Sequence, residues 1–246
     1  MKPAAPASTP AFQPLYRQIK ALITDRLESG EWRPGESIPS EMELAQTFSV
    51  SQGTVRKAVS ELADENVLIR RQGRGTFVAS HAHVGTQLSF LRITPDDSAV
   101  EELGPSLLDL RRVRADAAAA RLLGMSAGAA LVRLRRTLSI NGQRVIYEEV
   151  RLPAEPFRGL DAAVVEAHRC LLYSMYESGF GLKVVHAEER LKAVIAEPDV
   201  AEILAVEPGS PLLLMERVAY TYGRKAVELR RGFCNTALHH YANAIS

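Results

Sequence analysis

Apolar positions mark out three short helices and a hairpin in the first eighty residues. After Pro14, Leu15, Ile19, Leu22, Ile23 and Leu27 recur at helical spacing, and Gly30 ends that run. Trp32 to Gly35 reads as a turn. Ser40 followed by Glu43 is a capping-box pattern, opening a helix that would bury Leu44, Ala45 and Phe48. Ser51 caps a third helix with Val55, Val59 and Leu62 on its inner face. Gln52, Gly53, Thr54, Arg56 and Lys57 are left on the other face. Residues 67–71 and 76–79 then alternate as strands around the turn Gln72-Gly73-Arg74-Gly75.

The second half carries a repeat. A helix beginning at Asp116 leads through Gly128 into a strand at Leu131–Ile140, the Asn141-Gly142 turn and a return strand at Val145–Leu152. The same order follows at Pro198–Ala205, Gly209, Leu212–Tyr222, Gly223 and Ala226–Cys234. Gly128 and Gly142 recur as Gly209 and Gly223, an offset of 81 in both cases (209 − 128 and 223 − 142). One register kept through helix, loop and hairpin predicts an αββ unit used twice, in an α+β domain with a ligand crevice between the units.

Composition narrows the class. A chain of 246 residues, 46% hydrophobic and 24% charged, suits two globular domains. No apolar run is long enough for a membrane span, and the Pro/Ala/Ser-rich start lacks the apolar core of a secretory signal. We expect a disordered arm at 1–12, domains at 13–80 and 86–246, and a linker at 81–85. Two separated cysteines, Cys170 and Cys234, suggest neither a disulfide framework nor a zinc site, so a reducing cytoplasm is expected. Net charge is only +1, and residues 1–80 hold ten Lys/Arg against nine Asp/Glu, so the case for nucleic acid rests on where the basic groups sit.

They sit together. Two short helices joined by a tight turn form a helix-turn-helix, whose second helix presents its N-terminal residues to the major groove. The hairpin adds Arg70, Arg71 and Arg74 with glycines that permit close backbone approach. The segments PLYRQIKALI, LESGEWRPGESIPSEMELA, FSVSQGTVRKAVSELADENVLIRR and QGRGTFV resemble the winged helix of the GntR family. That resemblance implies DNA contacts by Ser51, Thr54 and Arg56, with wing contacts by Arg74 and the backbone of Gly73 and Gly75. Ser40, Glu41, Gln52, Lys57 and Arg71 complete the candidate DNA face, Lys57 as a phosphate contact that positions without specifying. Met42, Gln52 and Gly53 stand where the family commonly has Arg, Arg and a polar residue. Gln suits adenine where Arg suits guanine, which changes the expected operator and not the role.

The second half, in LLGMSAGAALVRLRR, NGQRVIYEEVRLP, LLYSMYESGFGLKV and LAVEPGSPLLLMERVAY, resembles the UTRA effector domain of the HutC branch. The resemblance implies a six-stranded antiparallel sheet like that of chorismate lyase, a homodimer, and a pocket reached by Arg136, Glu148 and Tyr173. Tyr147, Glu228 and Arg230 are further candidates, an Arg for carboxylate or phosphate and a Glu for hydroxyl or amine donors. Leu138, Leu171 and Cys234 replace an Arg, a small hydroxyl residue and an aromatic. Fewer donors make a dianion harder to desolvate, so an organic acid or amine is expected over a sugar phosphate.

Against an enzyme, no nucleophile stands with a base at recognisable spacing, and His168, His186, His239 and His240 are scattered. A lyase-like enzyme with a DNA-binding appendage and a non-sensing DNA binder are the alternatives, since fold alone does not decide. The expectation is an effector-controlled repressor on double-stranded operator DNA, without cofactor, metal or membrane association.

Overall fold

The computed structural model describes residues 13–65, 67–80, 92–97 and 102–243. The arm expected at 1–12 and the linker at 81–85 lie outside them. The chain divides into two compact units, Met1–Ala79 and Ser80–Ser246.

In the first unit, α1 (Leu15–Glu28) and α2 (Glu41–Thr47) both pack on α3 (Gln52–Asp64). Ile19, Ile23 and Leu27 are buried with Leu44, Val55, Ala58, Val59 and Leu62. Leu15 and Leu22 share the helical spacing but are 49% and 45% exposed, because they flank the packed stripe instead of lying on it. Ser40 makes the complete capping box with Glu43, and Ser51 caps α3 through the Thr54 amide. The wing is β1 (Leu68–Arg71) paired antiparallel with β2 (Gly75–Val78), and Ser37 bridges Phe77 on its outer side.

The second unit is built on a six-stranded antiparallel sheet. Its strands are β4 (Leu103–Arg114), β5 (Ala130–Ile140), β6 (Gln143–Pro153), β7 (His186–Ile195), β8 (Pro211–Tyr220) and β9 (Ala226–Asn235). Their order is β4-β5-β6-β9-β8-β7, with α4 (Ala117–Leu123), α5 (Ala162–Ala167), α6 (Leu172–Phe180) and α7 (Pro198–Leu204) on the sheet. A separate small ribbon joins β3 (Ile93–Pro95) to β10 (His239–Tyr241).

The repeat is a βαββ unit, larger than the expected αββ. β4 and β7 each precede the helix and take the two edges of the sheet. Their pattern is mostly exposed or half-buried, which hides them from a search for alternating apolar residues. Strand order reads the same from either edge once the two units are exchanged, so a pseudo-twofold axis passes between β6 and β9.

Side chains alternate across the sheet. One face carries Val132, Leu134, Val150 and Leu152 against Phe157, Val165, Leu172, Met175 and Tyr176 from the α5–α6 region. On the other face α4 covers Leu131, and α7 packs on Tyr147 and Leu212. Phe157 is fully buried, its ring edge-on to Tyr176 at 4.9 Å between centroids. Phe157→Ala should cost about 3–5 kcal/mol, read as a lower urea midpoint for the second unit by circular dichroism.

Candidate DNA face and effector cleft

Capping largely commits the small hydroxyl residues of the first unit. Ser40 Oγ donates to Glu43 Oε2 at 2.7 Å while accepting from the Glu43 amide at 3.2 Å. Ser51 Oγ lies 2.9 Å from Thr54 Oγ1. These bonds fix the N-terminal turns that would face a groove.

Arg56 is exposed on α3, and its Nε donates to Glu41 Oε2 at 2.8 Å. Arg70 of the wing donates to the other Glu41 oxygen at 3.0 Å and to the Arg56 carbonyl at 3.3 Å. Glu41 therefore ties α2, the recognition helix and the wing together, an orienting arrangement in which the carboxylate itself need not meet DNA. Lys57 lies over the Tyr16 ring at 3.9 Å, and Arg71 over Phe77 at 4.8 Å, so their stems are braced and their charges stay at the surface. Gln52 and Gly53 are exposed at the start of α3. At the wing tip Arg74 stands between Gly73 (φ 70°) and Gly75 (φ 103°), a left-handed path that glycine permits.

In the second unit the sheet brings charged side chains from five strands to one place. Arg136, Glu148 and Glu228 are 5%, 2% and 0% exposed. Arg136 Nε donates to Glu148 Oε2 at 2.7 Å, and its Nη1 donates to the Cys170 carbonyl. Arg230 forks Glu228 with bonds of 2.9 and 2.8 Å and reaches Glu148 Oε1 at 3.1 Å. Tyr173 and Tyr176 donate their hydroxyls to Glu228 at 3.2 and 2.6 Å. Glu148 thus belongs to β6 of the first repeat but holds Arg230 of β9 in the second.

The network opens on a cleft lined by Arg136, Glu148, Tyr173 and Arg230 among others. Leu138, Leu171, Met215 and Leu103 supply its apolar wall. Five of the six expected effector residues are connected in this way. Tyr147 is not among them. It adjoins Glu148 in sequence, so strand alternation turns it to the opposite face, where it is stacked on Phe233 at 6.0 Å and packed under α7.

Sequence reasoning missed Arg217 and Glu189. Arg217 lies 81 residues beyond Arg136 (217 − 136), so the repeat offset already pointed to it. It donates Nε to Glu189 Oε1 at 2.8 Å and Nη1 to the Tyr173 hydroxyl at 3.3 Å. Glu189 sits on the edge strand β7, which no sequence pattern had marked.

Burial opposes ionisation of Glu148, but Arg136 and then Arg230 outweigh it and hold the carboxyl at about 2. Burial and Glu228 raise both Tyr173 and Tyr176, the latter well above the usual phenol range. Burial disfavours charge on Arg230, yet Glu148 and Glu228 keep it firmly protonated.

Comparison with known proteins agrees with both halves. Residues 15–78 match the family of bacterial regulatory proteins described as the gntR family, and residues 100–240 match the UTRA domain. The chain belongs to the GntR family. It is a DNA-binding transcription regulator of the UTRA-containing kind. It is 32% identical to the histidine utilization repressor of Klebsiella aerogenes, over 86% of each chain. It is 30% identical to the transcriptional repressor PhnF of Mycolicibacterium smegmatis, over 88% of this chain and 87% of that one. Among solved structures, it is similar to the ligand-binding domain of a GntR-family regulator from Bordetella bronchiseptica. That match has 41% identity and a TM-score of 0.60, and covers 63% of this chain and 96% of that chain. Among the described residues, no helix is long and apolar enough to cross a membrane.

The depressed Glu148 value has a consequence for stability. A folded-state carboxyl below its ordinary 4.5 adds stability that is complete above about 4.5 and is lost as pH falls toward about 2. Glu148→Gln strips Arg136 of its carboxylate and should cost about 3–5 kcal/mol at pH 7. The gap between variant and wild type, measured by urea unfolding across acid pH, should narrow below about pH 4.5.

Proposed function

We propose that this GntR-family member is an effector-controlled repressor. The observation that carries the reading is the buried ion network at the centre of the repeated sheet, which borders a cleft. Several convergent polar side chains in one concave site are the mark of a small-molecule pocket. Arg136, Glu148, Tyr173, Arg230 and, beneath them, Glu228 would form that site.

The chain would act as a cytoplasmic homodimer placing two recognition helices on a palindromic operator. Domains at 13–80 and 86–246 would take the two roles. Ser51, Gln52, Thr54, Arg56 and Lys57 would meet the groove and its phosphates. Arg71, Arg74 and the backbone of Gly73 and Gly75 would do so from the wing. Ser40 and Glu41 would support that face. Effector binding would shift the balance between two poses of the DNA-binding units, by the ligand's difference in affinity for them, and release DNA. Repression is favoured because relatives of this architecture include named repressors.

An organic acid or amine fits better than a sugar phosphate, since Leu138 and Leu171 contribute hydrocarbon where phosphate would need donors. Catalysis fits poorly. Glu148 is held near 2, and Tyr173 of the cleft and the buried Tyr176 above their usual range, so none of the three exchanges a proton near neutrality.

Two measurements test the reading. Arg56→Ala should weaken specific operator binding by about 1–3 kcal/mol, and wild-type protein with equal affinity for operator and scrambled DNA would contradict the scheme. In a thermal-shift screen of the chain against acids, amines and sugar phosphates, a ligand at a hundred times its Kd should add about 2.7 kcal/mol. That stabilisation should vanish in Arg136→Ala, and the same ligand should release operator DNA.

A further inference from the structure

The charge balance of the cleft narrows its ligand beyond the class named above, and the argument rests on the sensor reading. Three guanidinium groups meet there, Arg136, Arg217 and Arg230. Each is already paired with a carboxylate, Arg136 with Glu148, Arg217 with Glu189 and Arg230 with Glu228, and Glu148 reaches Arg230 as well. The six charges sum to zero among the described residues. A monoanion entering this site would leave one uncompensated negative charge in a largely buried place, and a phosphate dianion would leave two. Each such charge is costly when water is excluded. A lone amine meets the same cost with the opposite sign.

The hydrogen-bond inventory is also two-sided. Arg136 uses Nε and Nη2 on Glu148 and Nη1 on the Cys170 carbonyl, three of the five N–H bonds a guanidinium carries. It therefore retains donors for a carboxylate. Glu189 takes Arg217 on Oε1 and the Tyr241 hydroxyl on Oε2 at 2.8 Å, which leaves acceptor capacity on Oε2. Beyond Tyr241 the exposed Arg92 bonds to that hydroxyl at 3.4 Å and to Asn243, where solvent screens its charge. Between the donor end and the acceptor end stand Leu138, Leu171 and Met215.

We propose that the cleft binds a zwitterion of the α-amino-acid type with an apolar side chain. Its carboxylate would lie on Arg136, its ammonium on Glu189 and its hydrocarbon on Leu138, Leu171 and Met215. Glu189 is then a specificity-determining residue, since it sets the charge that the ligand must carry opposite the arginines. Arg217 is the counterpart of Arg136 in the repeat, but its partner comes from an edge strand and not from the centre of the sheet.

The test uses calorimetry on the full chain with amino acids and their one-charge analogues. L-Leucine would be compared with 4-methylpentanoate, which lacks the ammonium, and with 3-methylbutylamine, which lacks the carboxylate. L-Methionine and L-phenylalanine extend the series, and glucose 6-phosphate serves as the dianion. At least one amino acid should bind, about tenfold or more tighter than its analogues. Glu189→Gln makes the site positive, so preference should pass from the amino acid to the carboxylate. A role confined to packing would weaken all ligands alike.

The wild-type comparison stands even if that variant fails to fold. An analogue binding as well as its amino acid would overturn the proposal. So would binding confined to another class. If that binding disappeared in Arg136→Ala, the sensor reading would survive without the zwitterion. A folded chain that binds none of these compounds overturns the zwitterion, and if it also ignores the wider panel of acids, amines and phosphates, the sensor reading falls with it.

Discussion

Glu148 is the constraint around which the effector unit is arranged. A carboxylate 2% exposed is tolerable only if cations meet it directly, and here two do, from different halves of the repeat. That requirement dictates the partners. Arg136 must lie opposite it on β5 and Arg230 beside it on β9, and the antiparallel register puts both there. Arg230 then needs a second anion, which Glu228 supplies, and Glu228 needs the hydroxyls of Tyr173 and Tyr176 from α6. One buried charge therefore propagates into a network that joins both repeats and the helix above them.

Such a network adds less to stability than an apolar core of the same volume, because desolvation offsets most of the attraction. What it adds is definition. Bidentate geometry allows few alternative packings. The DNA-binding unit uses the same device at its surface. Glu41 joins Arg56 to Arg70, so the recognition helix and the wing are held in one geometry before DNA is met. Exposure makes that pair weaker and screened by salt.

Much of this was legible in the chain. The capping box at Ser40, the cap at Ser51 and the inner face Val55, Val59 and Leu62 are local features, and local rules place them. The repeat was visible because helix, loop and hairpin each keep the offset. Its leading strands β4 and β7 were not visible, because edge strands face solvent along much of their length and lose the alternation that marks a half-buried strand.

By itself, then, the sequence determined the winged helix-turn-helix, the duplicated α+β unit and the family to which both belong, since periodicity, capping and turn chemistry act over a few residues. Only the tertiary structure decided which charged residues share a site. Tyr147 and Glu148 are neighbours in the chain but lie on opposite faces of the sheet. Arg217 and Glu189 are 28 residues apart and share a hydrogen bond. Strand register makes that choice: a displacement of one residue exchanges the two faces, and register is set by pairing between segments far apart in the chain.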